Sequence, residues 1–401
     1  MTAAREQDVW LAGVPAVAQL FPPGTRRLTY RPGRSPCLLV LPSTRSPRLL
    51  VPSDLGTSDK MLRRHNTTRM QRFGQDVVAL ALRSRLLPML PVARLVPVGG
   101  ADGATIEAHV RRHVPEAARV GVLLGPPRAN AKPVLRIFGA DGSTVAFGKV
   151  GHDALSARLV RAEAAVLGEL SVQTFRHLEA PRVIHTGTWH GLEVLLITPM
   201  QASVRREASW VLPLAAMREL TRSTGLTTGP VATSPYAVGL TERVNASGRE
   251  SGVPAVLDGV QQLVGHVVLH YGRWHGDWAP WNTGSTAGSR LQVWDWERSS
   301  ACVPVGFDAV HFLLQREFES ETPTYLLGSL LREATWALEG LGVHRDQVEA
   351  TILLYLVEIL QRYVADAGGT PTMALQHRLS TIRALTASIS GNLSREFRAD
   401  A

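Results

Sequence analysis

The sequence predicts an α+β protein with a front half rich in short strands and a mostly helical back half. Three observations carry that prediction. Short apolar runs bounded by Pro, Gly and Ser recur through the first 200 residues, as strands require. Beyond them, longer stretches repeat apolar side chains every three or four positions, as helices require. Within that back half, residues 275–297 gather acids and an amide in a segment that Pro280 keeps out of a helix.

The chain has 401 residues, room for two or three domains. Its 45% apolar and 19% charged residues are those of an ordinary globular protein. Cys37 and Cys302 are the only cysteines, which excludes a disulfide framework and a cysteine zinc site and fits a reducing compartment. No apolar run approaches the roughly 18 residues that read as a membrane span. Arg5, Glu6 and Asp8 precede a proline-broken apolar stretch, which argues against a cleaved signal peptide, so a cytoplasmic protein is expected. The net charge of +9 is uneven: residues 1–200 carry +12 and residues 201–401 carry −3. A basic front half attracts anions such as nucleotide phosphates. No basic block interleaved with aromatics and no zinc-finger spacing occurs, so a nucleic-acid partner is not expected. Arginine outnumbers lysine 40 to 3, which makes each lysine notable.

Residues 1–117 are expected to form a separate N-terminal α/β cap domain. Arg27 to Tyr30, Cys37 to Leu41 and Arg48 to Val51 read as strands, Asn66 to Leu87 as a helix ended by Pro88, and Thr105 to Val114 as a short helix. Residues 118–200 form the next element. Arg119 to Leu124, Val134 to Phe138 and Thr144 to Val150 read as strands, with Asp141-Gly142 favouring a tight hairpin between the last two. A helix-like segment follows, with Leu155, Leu159, Ala162, Val166 and Leu170 as its apolar stripe and Glu163 within it. Leu192 to Met200 reads as a strand running into a break, and the boundary is placed near Gln201. Residues 201–401 are expected to be helical: Val253 to Leu269, Phe307 to Glu317, Thr324 to Leu338, Gln347 to Val364 and Met373 to Ser388. Residues 222–252, rich in Thr, Ser, Gly and Pro, read as an irregular loop and substrate lid.

Chemistry concentrates in His275-Gly276-Asp277-Trp278-Ala279-Pro280-Trp281-Asn282 and in the later Trp294-Asp295-Trp296-Glu297. A loop lets the side chains of Asp277 and Asn282 turn toward one point. Asp295 ends a short apolar run, and a carboxylate at a strand end suits Mg²⁺, a hard cation held by one or two carboxylates plus substrate phosphates. The segment thus reads as a phosphoryl-transfer site, with Asp277 as base and Asn282 and Asp295 as metal ligands. Trp274, Trp278, Trp281, Trp294 and Trp296 crowd the same stretch. They read as packing, or in the case of Trp278 and Trp281 as a stacking surface for a sugar-like substrate.

HGDWAPWN followed by WDWE resembles the catalytic and metal loops of the aminoglycoside phosphotransferase and choline kinase-like family, relatives of protein kinases. The resemblance implies a two-lobed protein-kinase-like fold over residues 118–401, a β-rich nucleotide-binding N-lobe before a helical C-lobe. It implies that Lys149, fixed by Glu163, lies against the phosphates of ATP or GTP. It makes 192–200 a hinge between the lobes, His275 a support for the loop and Asp308 a brace behind it. The loop 125–133 departs from the protein-kinase pattern, with one Gly and three Pro where several glycines would cradle phosphate, so Arg128 or Lys132 would supply charge instead. The expected activity is Mg²⁺-dependent transfer of a γ-phosphoryl group to a hydroxyl of a sugar-like or aminoglycoside-like small molecule. The alternative is a catalytically weak kinase-like protein that binds nucleotide and acts by interaction. Neither the acceptor nor the oligomeric state follows from the sequence.

Overall fold

The computed structural model describes residues 15–22, 24–31, 36–53, 92–98, 104–124, 130–200, 211–285, 290–318, 326–367 and 372–399. The chain divides into two compact units, Met1–Gly168 with Pro181–Gln201, and Glu169–Ala180 with Ala202–Ala401.

The first unit is built on one nine-stranded antiparallel sheet. Its strands are β1 (Arg26–Thr29), β2 (Leu38–Leu41), β3 (Leu49–Pro52), β4 (Arg94–Pro97), β5 (Arg119–Leu123), β6 (Val134–Phe138), β7 (Thr144–Gly151), β9 (Val183–Trp189) and β10 (Leu192–Ile197). Their order is β1-β4-β2-β3-β5-β6-β7-β10-β9. The runs read as strands in the sequence are strands because alternate residues reach a common core: Leu38 and Val40, Val120 and Val122, Leu135 and Ile137 are all buried in it. Asp141 Oδ1 accepts the Ser143 N–H at 2.9 Å and Gly142 takes φ 74°, which turns β6 into β7.

The separation expected at residue 117 is not found. Leu49 and Leu50 of β3 pair with Leu123 and Val122 of β5, and Val17, Leu20 and Phe21 of α1 (Pro15–Leu20) with its following turn share the core of Ile137 and Val194. The front residues therefore extend the sheet instead of capping it. Helix α2 (Ile106–His113) starts at Thr105, whose Oγ1 accepts the Ala108 N–H, and a buried ion pair ties its Glu107 to Arg26 of β1. The helix expected over 66–87 lies outside the described residues.

Helix α3 (Ala154–Ser171) buries Leu159, Val160, Val166, Leu167 and Leu170. Asp153 Oδ1 accepts the Ser156 N–H at 2.8 Å and Ser156 Oγ accepts the Asp153 N–H at 3.1 Å, a reciprocal cap. Its first turn lies so close to β7 that a Cβ on Gly151 would sit 2.4 Å from Ala157 Cα.

The second unit is mainly helical, with two three-stranded sheets. One has the order β11-β12-β15, from Thr227–Pro230, Val268–Trp274 and Ser300–Pro304; the other, β13-β14-β8, from Thr283–Gly284, Leu291–Val293 and Leu178–Glu179. Helix α9 (Val348–Ala367) is buried on all sides through its middle, as a central helix must be, and packs against α6 (Val253–Val264), α7 (Phe307–Phe318), α8 (Leu326–Leu341) and α10 (Met373–Ala399).

Two expectations fail in this unit. The helix read over 253–269 stops at Val264, and from Val268 the chain is strand β12, where buried and exposed residues alternate at its start. The segment 222–252 is not an irregular lid: it contains the turn that follows α4 (Leu214–Thr221), strand β11 and α5 (Pro235–Ala246). Ser234 caps α5 by accepting the Ala237 N–H at 3.1 Å, Pro235 opens it, and Tyr236, Leu240 and Val244 face inward.

Candidate active site

Strand β12 ends at Trp274 and delivers His275-Gly276-Asp277 into a bend. Gly276 has φ 85°, and a Cβ there would lie 2.1 Å from the Arg298 carbonyl oxygen, so only glycine fits. Asp308, at the start of α7, accepts the His275 N–H at 2.7 Å and the Gly276 N–H at 3.0 Å. Burial pushes the Asp308 carboxyl up to about 7, against the pull of those two N–H groups and of Arg362. Arg362 of α9 donates to the Gly276 carbonyl and lies 4.9 Å from the centre of the Trp274 ring. The loop is thus fixed through its backbone from two helices.

His275 is fully buried, and its neighbours determine its tautomer. Trp294 O accepts only, so Nε2 carries the proton it donates at 3.0 Å, and Nδ1 accepts the Asp277 N–H at 3.2 Å. Burial holds the ring neutral, lowering its pKa to about 4, although the charges of Asp277 and Asp295 pull the other way. That leaves His275 with no free nitrogen, a support for the loop.

Asp277 projects from this frame with 41% of its side-chain surface exposed. Its Oδ2 accepts from Asn282 Nδ2 at 2.8 Å, and Oδ1 lies 3.2 Å from His311 Nε2. His311 Nδ1 is 2.9 Å from the Tyr355 hydroxyl. Burial raises the Tyr355 phenol well above 10, so the hydroxyl stays protonated and donates to Nδ1; Nε2 then carries the hydrogen that points at Asp277. Burial lowers the His311 pKa, and the ring is neutral. Desolvation works to raise the Asp277 pKa, but the His311 hydrogen bond, the electrostatic pull of the His311 and His275 rings and the Arg362 guanidinium together hold it below the ordinary carboxylate value. The arrangement is an ionised, solvent-reachable carboxylate held on a buried scaffold.

Asn282 closes the 3₁₀ turn Pro280–Asn282 and is 3% exposed. Its Nδ2 also donates to Asp277 O at 2.9 Å, which turns the amide oxygen away as the atom able to meet a cation. The Trp294 N–H donates to Asn282 O at 3.1 Å, so β14 and the 275–282 loop are joined immediately before Asp295. Asp295 itself holds the left-handed conformation, φ 67° and ψ 56°, which few non-glycine residues adopt. An amide oxygen and a carboxylate are hard donors of the type Mg²⁺ takes, so the residues present fit that ion. Glu297 lies in the following 3₁₀ turn, Trp296–Arg298.

The tryptophans divide. Trp278 and Trp296 are fully buried and meet the His275 ring edge-on at 5.8 and 4.5 Å, so Trp278 is packing and offers no stacking face. Trp281 is half-buried and keeps that possibility. His311 and Arg362 were not singled out in the sequence, because each sits within a helix that reads simply as apolar.

In the first unit, Lys149 of β7 and Glu163 of α3 meet as the resemblance implies. Lys149 Nζ is 2.6 Å from both Glu163 oxygens, and the two side chains are 6% and 0% exposed. Lys132 lies just before β6 and is half-buried; Arg128 is outside the described residues. Strand β10 ends at Ile197, before Thr198 donates its N–H to Arg182 O at 2.9 Å.

No family model matches the chain, and no curated protein matches it. The solved structures similar to it include small-molecule kinases. Choline kinase LicA from Streptococcus pneumoniae is 13% identical over 71% of this chain and 99% of that one, with a TM-score of 0.48. The GDP complex of an aminoglycoside 2'-phosphotransferase of type IIIa is 16% identical over 74% and 100%, TM-score 0.44. A spectinomycin phosphotransferase in complex with ADP and spectinomycin is 11% identical over 69% and 94%, TM-score 0.41.

Proposed function

We propose that this protein is a small-molecule phosphotransferase that moves the γ-phosphoryl group of ATP or GTP to a hydroxyl of a sugar-like or aminoglycoside-like acceptor. The observation that carries the reading is Asp277, a reachable carboxylate clamped between the Asn282 amide and a neutral His311. Phosphoryl transfer asks a protein mainly for positioning and charge stabilisation. As the acceptor oxygen bonds to the γ-phosphorus and the bond to the β-phosphate oxygen breaks, Asp277 takes the hydroxyl proton. Its lowered pKa keeps it ionised for that role at neutral pH. Asn282 and Asp295 are the residues that would hold Mg²⁺, which when bound neutralises phosphate charge. Lys149, oriented by Glu163, is the cation of the first unit suited to nucleotide phosphate. Trp281 is the candidate surface for the acceptor's apolar face.

The proline-rich 125–133 loop favours a second reading, a nucleotide-binding protein with weak turnover. Labelled ATP and GTP supplied with a metabolite extract and Mg²⁺ separate the two. A labelled product that forms with the wild type and falls by about 10²–10⁴-fold in Asp277→Ala, with nucleotide binding intact, supports the kinase. Nucleotide binding without any labelled product favours the weak-turnover reading, and unchanged turnover in Asp277→Ala sinks the assignment of the base.

A further inference from the structure

Outside that site, the first unit brings three histidines together. His109 and His113 stand one turn apart on α2, and His185 faces them from β9, the last strand of the sheet. Their ligand atoms all lie within 4.8 Å of one another. The His113 and His185 rings stack at 3.5 Å and 13°, and His109 meets them edge-on at 4.8 and 5.4 Å. Among the described residues no carboxylate joins the group; the charged neighbours that act on His109 are Arg112 and the other histidines, His190 among them.

Hydrogen bonding does not account for this cluster. His109 is 7% exposed, and its Nε2 is buried with no partner. Buried polar atoms are nearly always paired, and an ordered water or an ion would satisfy the His109 nitrogen. Gly187, two residues along β9, leaves room for the His185 ring: a Cβ there would lie 3.2 Å from His185 Nε2. Three imidazoles whose ligand atoms lie this close together are the donor set of an open zinc site. Bonds of about 2.0–2.1 Å to one ion require the His113 and His185 rings to turn out of their stack so that their nitrogens converge with that of His109. His113 and His185 are half-buried, which gives them that freedom and leaves the fourth position to water.

We propose that His109, His113 and His185 form a binding site for a first-row transition metal, Zn²⁺ foremost, which clips α2 to the edge strand β9. Imidazole nitrogen suits zinc better than it suits magnesium, so this site is distinct in chemistry from the Asp295 site.

The test uses the full chain, stripped with a chelator and dialysed. Cobalt(II) is titrated in while visible absorption is followed, zinc is used to displace it, and metal content is measured by elemental analysis. One equivalent of tetrahedral cobalt, displaced by zinc, is expected in the wild type. His113→Gln and His185→Ala should bind at least about 100-fold more weakly, since losing a ligand costs more than losing a group that orients one. His344→Ala, at a side chain 83% exposed, should bind as the wild type does. Zinc should raise the thermal midpoint of the wild type and not that of His113→Gln, whose circular dichroism in chelator reports that it is folded. Binding of well under one equivalent by the wild type overturns the proposal, as does undiminished binding by folded His113→Gln.

Discussion

In the second unit His275 and His311 have both ring nitrogens engaged, whereas in the first His109 buries an Nε2 with no partner. The same contrast runs through the charged groups. Asp277 and Asp308 belong to a web that also includes Asn282, His311, Arg362 and Tyr355. Lys149 meets Glu163 through both carboxylate oxygens, one dense contact between β7 and α3. A web fixes geometry and tolerates the loss of a member in graded steps. A buried ion pair concentrates its energy, because removing one partner leaves a charge behind in low dielectric.

The contrast predicts unequal losses. Glu163→Gln changes little volume but removes the counter-charge from a Lys149 side chain that is 6% exposed. Unfolding by urea should show a loss of about 3–5 kcal/mol, with a large part regained in Lys149→Met/Glu163→Leu, which fills the space without charge. A loss in Glu163→Gln below about 1 kcal/mol would show that the pair is solvated and that the two units do not differ in this way. His311→Gln, within the web, should cost less: about tenfold in kcat/KM, the worth of one charge-assisted hydrogen bond. Because His311 holds the Asp277 pKa down, its removal should also move the acid limb of kcat/KM to higher pH. A loss of stability with the acid limb unmoved would make His311 a packing residue and nothing more.

Which of these features were legible in the sequence depended on how far their partners lie along the chain. The strands β5 to β7 and their hairpin were visible because Gly, Pro and Asp punctuate them locally. Lys149 and Glu163 were visible through resemblance, and the loop 275–282 through its acid, amide and proline. The pairing of β3 with β5 was not: nothing local records which strand a short apolar run will join, so residues 1–117 read as a separate body. His311 and Arg362 reach the loop across 34 and 86 residues from helices whose periodicity is satisfied without them. Helix α5 was hidden by its Thr, Ser and Gly, although Ser234-Pro235 is a helix start. The pair His109 and His113 was also in plain view at helical spacing, but a third ligand from β9 exists only in the fold.

The buried histidines of the two units act in the same direction on acid stability, and that gives the smallest and most general test. His275 and His109 fall from 6.5 to about 4, burial being the largest cause for each, and burial lowers His185 and His311 as well. Between about pH 4 and 6.5 the unfolded chain therefore binds more protons at these positions than the folded one, and stability rises with pH. Asp308 runs the other way: raised from 3.8 to about 7, it keeps a proton that the unfolded chain has lost, so its contribution falls as pH rises through that window. With two histidines at about 4 against one such carboxyl, the net slope should be positive, about 1.4 kcal/mol per pH unit for each proton of excess. Urea midpoints measured in chelator from about pH 4.5 to 6.5 should climb, and climb less in His109→Gln. Zinc at saturation should steepen the climb through the first unit alone, since metal competes with protons for those nitrogens and for none in the web. A slope that zinc leaves unchanged in the wild type would mean that the three clustered histidines are packing, and the difference between the two units would reduce to the Lys149–Glu163 pair.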